Sequence, residues 1–235
     1  LYPDKNFYYF SYEEARKAIA LKLIMMRAGV VIQAESNYGA YVHYMKARGG
    51  SVGASDKKIE QALQEFKEIT SAGRLTISDD MYPAEDLATV IGLLARKGNT
   101  GAVIVDYIQR IPTQSQSQRY LELKAISGRL LEQAVQLDIP IILGAQLNRS
   151  LDKTSPRLDN LRESGDIEQD ANLVLSLYTP AIEDMEKSDY LTKVSAEVDM
   201  EVSILKNRAG ASGRKITLSF NRPVLRISDK AGGRY

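Results

Sequence analysis

Three side chains that could hold and hydrolyse a nucleotide follow apolar stretches of the sequence. Each stands at the end of a predicted strand: Glu13 after residues 6–10, Asp106 after residues 102–105 and Gln146 after residues 140–145. Ligands of open α/β sheets bind at the carboxyl ends of the parallel strands. The three side chains are therefore expected at one edge of one sheet.

These residue types fit the hydrolysis of a nucleoside triphosphate. Asp106 would hold Mg²⁺ beside the phosphates, usually through a water molecule. An acid after the first strand, Glu13 or Glu14, could orient and deprotonate the attacking water, and a glutamine such as Gln146 could sense the γ-phosphate by hydrogen bonding. Each residue also has a structural interpretation, because an aspartate at the end of a strand often starts a loop or caps a helix.

The elements that must position these residues predict an α/β fold. Helical spacing is present at residues 12–28, 36–48, 55–71, 83–97 and 119–137, and strands are predicted at residues 6–10, 75–78, 102–106, 140–145 and 172–178. Strands that read as continuous Val, Ile and Leu runs between helices indicate a mostly parallel, buried sheet with helices on both faces. Strands at residues 200–205, 215–220 and 224–227 would extend that sheet with an antiparallel part. No strong boundary divides residues 1–235, so a single domain is expected.

The composition is that of a globular protein of the reducing cytoplasm. Of the 235 residues, 44% are hydrophobic and 26% are charged, which is ordinary for such proteins. The absence of cysteine excludes disulfides and thiolate metal sites and fits a cytoplasmic location. The sequence contains no apolar run of the length that a membrane span requires.

Positive charge is concentrated at the end of the chain. Residues 206–235 hold eight basic residues and one acid, a net charge of +7 in a chain whose total is +1. A basic segment on a near-neutral chain can face phosphate. The alternative is a solvated face of edge strands.

Three blocks of the sequence resemble the conserved blocks of DnaB-type replicative helicases. They are VIVDYIQ at residues 103–109, IPIILGAQLNRS at residues 139–150 and LRESGDIEQD at residues 161–170. The last block is the most specific, because other RecA-like ATPases share the acid at the strand end but not this loop. The stretch from Phe10 to Glu13 resembles a further motif, with Tyr12 where the family usually has Leu. Residues 206–210 resemble the family's Lys-x-Arg motif, with Ala209 where Asn is usual.

The resemblance, which covers residues 7–227, implies a RecA-like fold that uses ATP and Mg²⁺. By position, Asp106 resembles the aspartate that holds Mg²⁺, Glu13 the catalytic base and Gln146 the γ-phosphate sensor. Lys206 and Arg208 resemble fingers that reach the nucleotide of the neighbouring subunit in a homo-hexamer. Residues i and i+2 of a strand point to the same face, so both cations could approach one phosphate group.

The resemblance also assigns the loop at residues 161–170 to the centre of the ring, where it grips single-stranded DNA. Arg162 would add charge, Glu163 would brace it, and Gly165 would let backbone N–H groups approach a phosphate. The implied activity is 5′ to 3′ translocation in DNA replication, with a primase and a helicase loader as possible partners. The structural alternative is an acidic start of a short helix, in which Asp166 and Glu168 are favourable.

A phosphate-binding loop of the form G-x-x-x-x-G-K followed by Ser or Thr is missing, since the sequence contains no Gly-Lys pair. In the family, the strand before this loop lies inside the sheet, and its loss would expose edges and core. We therefore expect that an N-terminal part with the loop, its strand and its helix is missing from this chain. The alternative is an ATPase-dead relative that binds DNA or loads a helicase. A recombinase or a clock-type ATPase fits the loop at residues 161–170 poorly.

Overall fold

The computed structural model describes residues 3–30, 54–113, 119–147, 156–158, 165–179 and 197–230. The helix predicted at residues 36–48 lies outside these residues. The described helices are α1 (Arg16–Ala28), α2 (Ala54–Ser71), α3 (Ala84–Ala95), α4 (Arg119–Leu137) and α5 (Gly165–Asp170). The described strands are β1 (Asn6–Ser11), β2 (Leu75–Ser78), β3 (Thr100–Asp106), β4 (Ile141–Leu143), β5 (Leu173–Tyr178), β6 (Glu197–Asn207), β7 (Lys215–Asn221) and β8 (Arg226–Asp229).

The chain divides into two compact units. The first unit combines residues 1–16, 68–150 and 158–172, and the second combines residues 17–67, 151–157 and 173–235. The first unit therefore holds β1 to β4 with α3, α4 and α5. The second holds nearly all of α1 and α2, together with β5 to β8.

The first unit contains the predicted parallel sheet, in the order β2-β1-β3-β4. Side chains of a strand alternate between the two faces, and one face of this sheet carries the core. From β1 that face receives Tyr8 and Phe10, and from β3 it receives Val103 and Val105. Four side chains of α3 and α4 complete this core: Leu87, Ile91, Leu123 and Ile126. The prediction of a mostly parallel sheet flanked by helices is confirmed.

The second unit contains an antiparallel sheet in the order β5-β6-β7-β8. The antiparallel pairing of the tail was predicted, but among the described residues these strands form a sheet of their own. The prediction of a buried parallel strand at residues 172–178 is wrong. β5 pairs antiparallel with β6 at the edge of its sheet. Leu173, Leu175 and Leu177 share one face of the strand and are 50%, 52% and 61% exposed.

Helices α1 and α2 pack through a small apolar cluster in the second unit. Its buried members are Ile24, Ala28, Ile59 and Ala62. On the surface of the same pair, Arg27 forms a salt bridge of 2.7 Å with Glu65, and its guanidinium lowers the pKa of that carboxyl. No helix in the described parts of the chain is long and apolar enough to cross a membrane.

The parallel sheet has an open edge at β4. This strand has only three residues, and β3 is its one neighbour among the described strands. Ile142, in the middle of β4, is 55% exposed, although the run at residues 140–145 is predicted to be buried. Side chains of a strand alternate between its two faces, and the face of β4 that carries Ile142 is exposed while Ile141 and Leu143 are half-buried.

Candidate active site

The parallel sheet brings the ends of β1, β3 and β4 to one edge. Glu13 stands two residues after β1, Asp106 is the last residue of β3, and Gln146 stands three residues after β4. These strands are neighbours in the order β1-β3-β4. The backbone N–H of Tyr12 donates to the carbonyl oxygen of Asp106 at 2.7 Å, which joins two of these ends directly. The sequence-based expectation of a shared edge therefore agrees with the structure.

The carboxylate of Asp106 is oriented by a tyrosine on the neighbouring strand. The hydroxyl of Tyr9 donates to Asp106 Oδ2 at 2.6 Å. Burial raises the pKa of Tyr9 above its ordinary value, and the hydrogen bond and negative charge of Asp106 raise it further. The phenol is therefore a protonated donor at neutral pH, and it fixes one of the two oxygens. Sequence reasoning did not identify Tyr9. The one indication in the sequence is that Tyr9 lies two residues before Ser11 on β1, so that its hydroxyl-bearing side chain points to the same face of the strand.

A glycine leaves room beside the other oxygen of Asp106. A Cβ atom added to Gly144 would lie 3.3 Å from Asp106 Oδ1 and 3.4 Å from the carbonyl oxygen of Val105. The backbone there is held firmly, because the Gly144 N–H donates to Val105 at 2.9 Å and its carbonyl accepts from Ile108 at 3.0 Å. The space beside Asp106 Oδ1 thus exists because glycine at position 144 has no side chain.

This arrangement fits a magnesium ion that is held mainly by phosphates and water. The described residues contain no group of three or more His, Cys, Asp or Glu side chains that could bind a metal. Mg²⁺ in nucleotide sites keeps several waters and takes only one or two carboxylates from the protein. Asp106, with Oδ1 beside the space at Gly144, can supply one such carboxylate.

Two adjacent acids follow β1, and their charges act on different neighbours. Glu13 is exposed. A hydrogen bond from Arg110 to the Tyr107 hydroxyl is the main cause that raises the pKa of Arg110, and the charge of Glu13 adds to it. Glu14 is half-buried, and its charge contributes, after burial and Asp106, to the raised pKa of Tyr9. Both acids therefore lie near side chains of the strand-end region.

The turn that carries these acids is fixed by its own hydrogen bonds. The Ser11 hydroxyl donates to the carbonyl oxygen of Glu14 at 2.7 Å and accepts from the Glu14 N–H at 3.1 Å. Tyr12 is buried, and its hydroxyl donates to the carbonyl oxygen of Tyr82 at 2.9 Å. A tyrosine is thus accommodated where the family usually has Leu.

The backbone of Gln146 is held by a second glutamine. Gln109 Oε1 accepts from the Gln146 N–H at 3.1 Å, and Gln109 Nε2 donates to the Gln146 carbonyl oxygen at 3.0 Å. The side chain of Gln146 is exposed. Sequence reasoning assigned no role to Gln109, although it stands three residues after Asp106 in one of the family-like blocks.

Lys206 and Arg208 both lie in the second unit. Lys206 is the penultimate residue of β6 and pairs with Val174 of β5. Arg208 is exposed and lies in the turn after β6, where the side chain of Asn207 accepts from the N–H of Ala209 at 3.0 Å. The alternation of a strand therefore does not apply to Arg208, and the spacing argument for a shared face loses its basis. The finger assignment stays a prediction.

The loop at residues 161–170 is described only in its second half. Arg162 and Glu163 lie outside the described residues, and Gly165 is the first residue of α5. The short acidic helix that was the structural alternative is therefore present. Ile167 belongs to the core of the first unit, and Asp170 accepts a hydrogen bond from the buried Ser127 of α4. The second half of this loop thus forms α5, and α5 is attached to α4 by this hydrogen bond.

Comparison with known proteins agrees with the resemblance in the sequence. The family model of the DnaB-like helicase C-terminal domain matches residues 3–229. The replicative DNA helicase DnaB of Buchnera aphidicola subsp. Acyrthosiphon pisum (strain APS) is 34% identical over 163 residues, which are 67% of this chain and 34% of that protein. A probable plasmid replicative DNA helicase of Chlamydia muridarum (strain MoPn / Nigg) is 27% identical over 199 residues, or 83% of this chain and 41% of that protein. The chain thus spans between a third and about two fifths of these relatives.

Two solved structures share the fold. One is an ATPase domain with a TM-score of 0.76 and 23% identity, and the match covers 97% of this chain and 75% of that one. The other is a DnaB-like replicative helicase, described with its interactions with primase, with a TM-score of 0.76 and 24% identity. That match covers 96% of this chain and 50% of the helicase. These neighbours have RecA-like ATPase domains, which confirms the predicted fold. With the family model matched over nearly the whole sequence, the chain belongs to the DnaB-like helicase C-terminal domain family.

Proposed function

We propose that this chain is the motor domain of an ATP-dependent DNA helicase that moves 5′ to 3′ on single-stranded DNA as a homo-hexameric ring. The observation that carries the proposal is the placement of Glu13, Asp106 and Gln146 after three adjacent parallel strands. The match to the family over residues 3–229 supports the same activity. Replication of DNA by such a motor would take place in the cytoplasm.

In the proposed reaction, the strand ends position the groups that act on the γ-phosphate. Asp106 would hold Mg²⁺ through a water molecule, and Tyr9 keeps the carboxylate of Asp106 oriented. When bound, Mg²⁺ neutralises charge that develops on the phosphate oxygens. Glu13 takes a proton from the attacking water, and Gln146 donates a hydrogen bond to the γ-phosphate.

In the proposed ring, Lys206 and Arg208 act on the nucleotide of the neighbouring subunit. Arg208 is exposed in a turn at the end of β6, which is a surface position that a second copy could approach. A finger that neutralises the transition state is worth about 10³–10⁵ in rate. The effect of such a finger is present only in assembled rings.

Residues Arg162, Glu163 and Gly165 are proposed to grip the backbone of single-stranded DNA. Contacts to the backbone carry no sequence information, which suits a motor that must pass any sequence. Arg162→Ala should weaken binding of single strands and uncouple hydrolysis from DNA, and unchanged stimulation by DNA would argue against the assignment. A primase and a helicase loader are the proposed protein partners. A fold relative that is described with its interactions with primase supports the first of them.

Turnover requires a phosphate-binding loop, and these 235 residues contain no Gly-Lys pair. This observation favours a second candidate function. In that alternative, the chain is a relative without turnover, and it binds DNA or loads a helicase.

ATP hydrolysis with and without single-stranded DNA tests the proposal, measured on the protein as its native source makes it. Hydrolysis stimulated by DNA is the expected result. Glu13→Gln should then abolish turnover while nucleotide binding persists. Glu14→Gln is the matched variant, since it removes the neighbouring charge and should keep most of the turnover.

Each outcome separates the candidates. Binding of single strands without any hydrolysis would overturn the motor and favour the second candidate. Hydrolysis that survives Glu13→Gln but is lost in Glu14→Gln would move the role of the base to the half-buried acid.

A further inference from the structure

The side chain of Gln109, which the proposed chemistry does not use, forms hydrogen bonds to a backbone segment that lacks a neighbouring strand. Pairing between β3 and β4 ends at Val105 and Leu143. Backbone bonds continue it as far as Gly144, which donates to Val105 and accepts from Ile108. Beyond that point, the chain after β3 turns into a 3-10 helix at Ile108–Arg110. The backbone near Gln146 therefore has no parallel strand beside it in the described structure.

Gln109 supplies the missing partner with its side chain. An amide side chain has one acceptor oxygen and two N–H donors, the same groups that a peptide offers to a neighbouring strand. Its Oε1 accepts from the Gln146 N–H at 3.1 Å, and its Nε2 donates to the Gln146 carbonyl oxygen at 3.0 Å. The two bonds hold the two peptide groups on either side of the Gln146 Cα, and they therefore constrain the backbone at this residue.

Gln109 is itself held at its backbone by the first turn of α4. Arg119 Nη2 donates to the carbonyl oxygen of Gln109 at 2.7 Å, and Arg119 Nη1 donates to Glu122 Oε2 at 2.7 Å. The hydrogen bond from Arg119 lowers the pKa of Glu122, and a hydrogen bond from Thr113 lowers it further. Because Glu122 is charged and largely covered at 9% exposure, it fixes one end of the guanidinium while the other end reaches Gln109.

We propose that Gln109 is a positioning residue that clamps the backbone of Gln146 and is itself anchored to α4 by Arg119. The inference rests on the proposed function in one respect, the role of Gln146 at the γ-phosphate. An exposed glutamine side chain on an unpaired backbone samples many positions. A backbone held on both sides of the Cα removes part of that freedom, so the Gln146 side chain starts from a fixed point and a fixed Cα–Cβ direction.

Amide hydrogen exchange tests the clamp directly and needs no enzymatic activity. Each lost hydrogen bond is worth about a 2- to 10-fold change in an equilibrium, so Gln109→Ala should speed exchange at the Gln146 N–H by at least that factor. Gln109→Glu keeps the acceptor for this N–H but places an oxygen against the Gln146 carbonyl. Exchange at the Gln146 N–H should therefore stay slow in this variant. Gln136→Ala is the matched control, because that glutamine bonds only to the exposed side chain of Glu132 in the described structure.

Turnover tests the consequence of the clamp for the reaction. In Gln109→Ala, kcat should fall roughly tenfold, as expected for a small displacement of a catalytic group. The KM for ATP should stay the same, since uniform binding is not affected. Arg119→Ala should reproduce part of the fall in kcat, and Gln136→Ala should leave both parameters unchanged.

The outcomes distinguish this inference from the proposed function. Exchange at Gln146 that is equally slow in Gln109→Ala and in the unaltered protein would overturn the clamp. Faster exchange with unchanged kcat would overturn its part in the reaction. If the unaltered protein hydrolyses no ATP, the proposed function fails, while the exchange experiment still decides whether Gln109 holds the backbone of Gln146.

Discussion

Gly144→Ala should damage the site by displacing a carboxylate and not by straining the backbone. Gly144 is not among the residues with positive φ, so alanine can adopt its conformation. The added Cβ would lie 3.3 Å from Asp106 Oδ1, 3.3 Å from Tyr107 Cβ and 3.4 Å from the Val105 carbonyl oxygen. Ordinary contacts of this kind are several tenths of an ångström longer, so at least one neighbour must move.

The structure indicates which neighbour moves. The backbone of Gly144 is held by hydrogen bonds to Val105 and Ile108, and the carbonyl oxygen of Val105 belongs to the same ladder. The carboxylate of Asp106 can rotate, at the expense of its 2.6 Å bond from Tyr9. Overpacking of this size costs about 1–3 kcal/mol in stability, and we expect about 2 kcal/mol, because the carboxylate can rotate but Tyr107 Cβ is fixed to the backbone.

Turnover should fall as well, because the displaced carboxylate belongs to the proposed site. A displacement of about 1 Å in a catalytic arrangement can cost about 10²-fold in rate. A shift of a few tenths should therefore lower turnover about 3- to 10-fold and raise the Mg²⁺ concentration at half-maximal rate. Urea unfolding gives the stability, and ATP hydrolysis over a Mg²⁺ titration gives the functional change.

Gly128→Ala is the matched control for this experiment. Gly128 lies within α4, and a Cβ there would meet nothing within 4 Å. Replacing a helical glycine by alanine stabilises a helix by up to about 1 kcal/mol, so this variant should be at least as stable as the original and equally active. If Gly144→Ala keeps both its turnover and its Mg²⁺ dependence, the reasoning about the Asp106 carboxylate is refuted.

Three further substitutions test other parts of the molecule. Tyr9→Phe should flatten the dependence of the unfolding free energy on pH. The pKa of Tyr9 in the folded protein is raised above the ordinary 10.0, so the stability that the protonated phenol contributes is complete below pH 10.0 and is lost as the pH rises beyond it. Urea-unfolding profiles from pH 8 to 11 that are equally steep in the variant and the original would contradict this prediction. Ser127→Ala should cost about 1.5–3 kcal/mol in urea unfolding, because it breaks a buried hydrogen bond to a carboxylate of α5, whereas the exposed Ser228→Ala should cost little. Arg208→Ala should reduce ATP turnover by about 10³ in assembled rings, and an equal loss in the exposed Arg226→Ala of the same sheet would sink the finger assignment.

The sequence predicted the features that depend on neighbouring residues of the chain, such as the positions of strands. Strands β1 and β3 agree with their predicted positions within one or two residues, because continuous apolar or aromatic runs report burial in a parallel sheet. The shared edge of Glu13, Asp106 and Gln146 followed from the same patterns and from the rule that ligands bind at the carboxyl ends of strands. Those residues needed no knowledge of distant contacts.

The contacts that shape the site could not be read from local patterns. Tyr9 and Asp106 are 97 residues apart in the sequence, and Gln109 and Gln146 are 37 apart. Such pairs depend on the register between strands, which the sequence of one strand does not reveal. β5 was misread for a related reason, since an apolar run looks the same whether its strand lies inside a sheet or at the edge, as it does at Leu175.

The hydrogen bond between the Tyr12 N–H and the Asp106 carbonyl oxygen has an evolutionary consequence. It links the turn that bears the proposed base, Glu13, to the strand that bears the proposed metal carboxylate, Asp106. A change that slides either strand by one residue would break this bond and the register between β1 and β3, and would separate the two groups. Descendants of this chain should therefore keep the two groups together or lose them together, and an intermediate with only one of them in place should be short-lived.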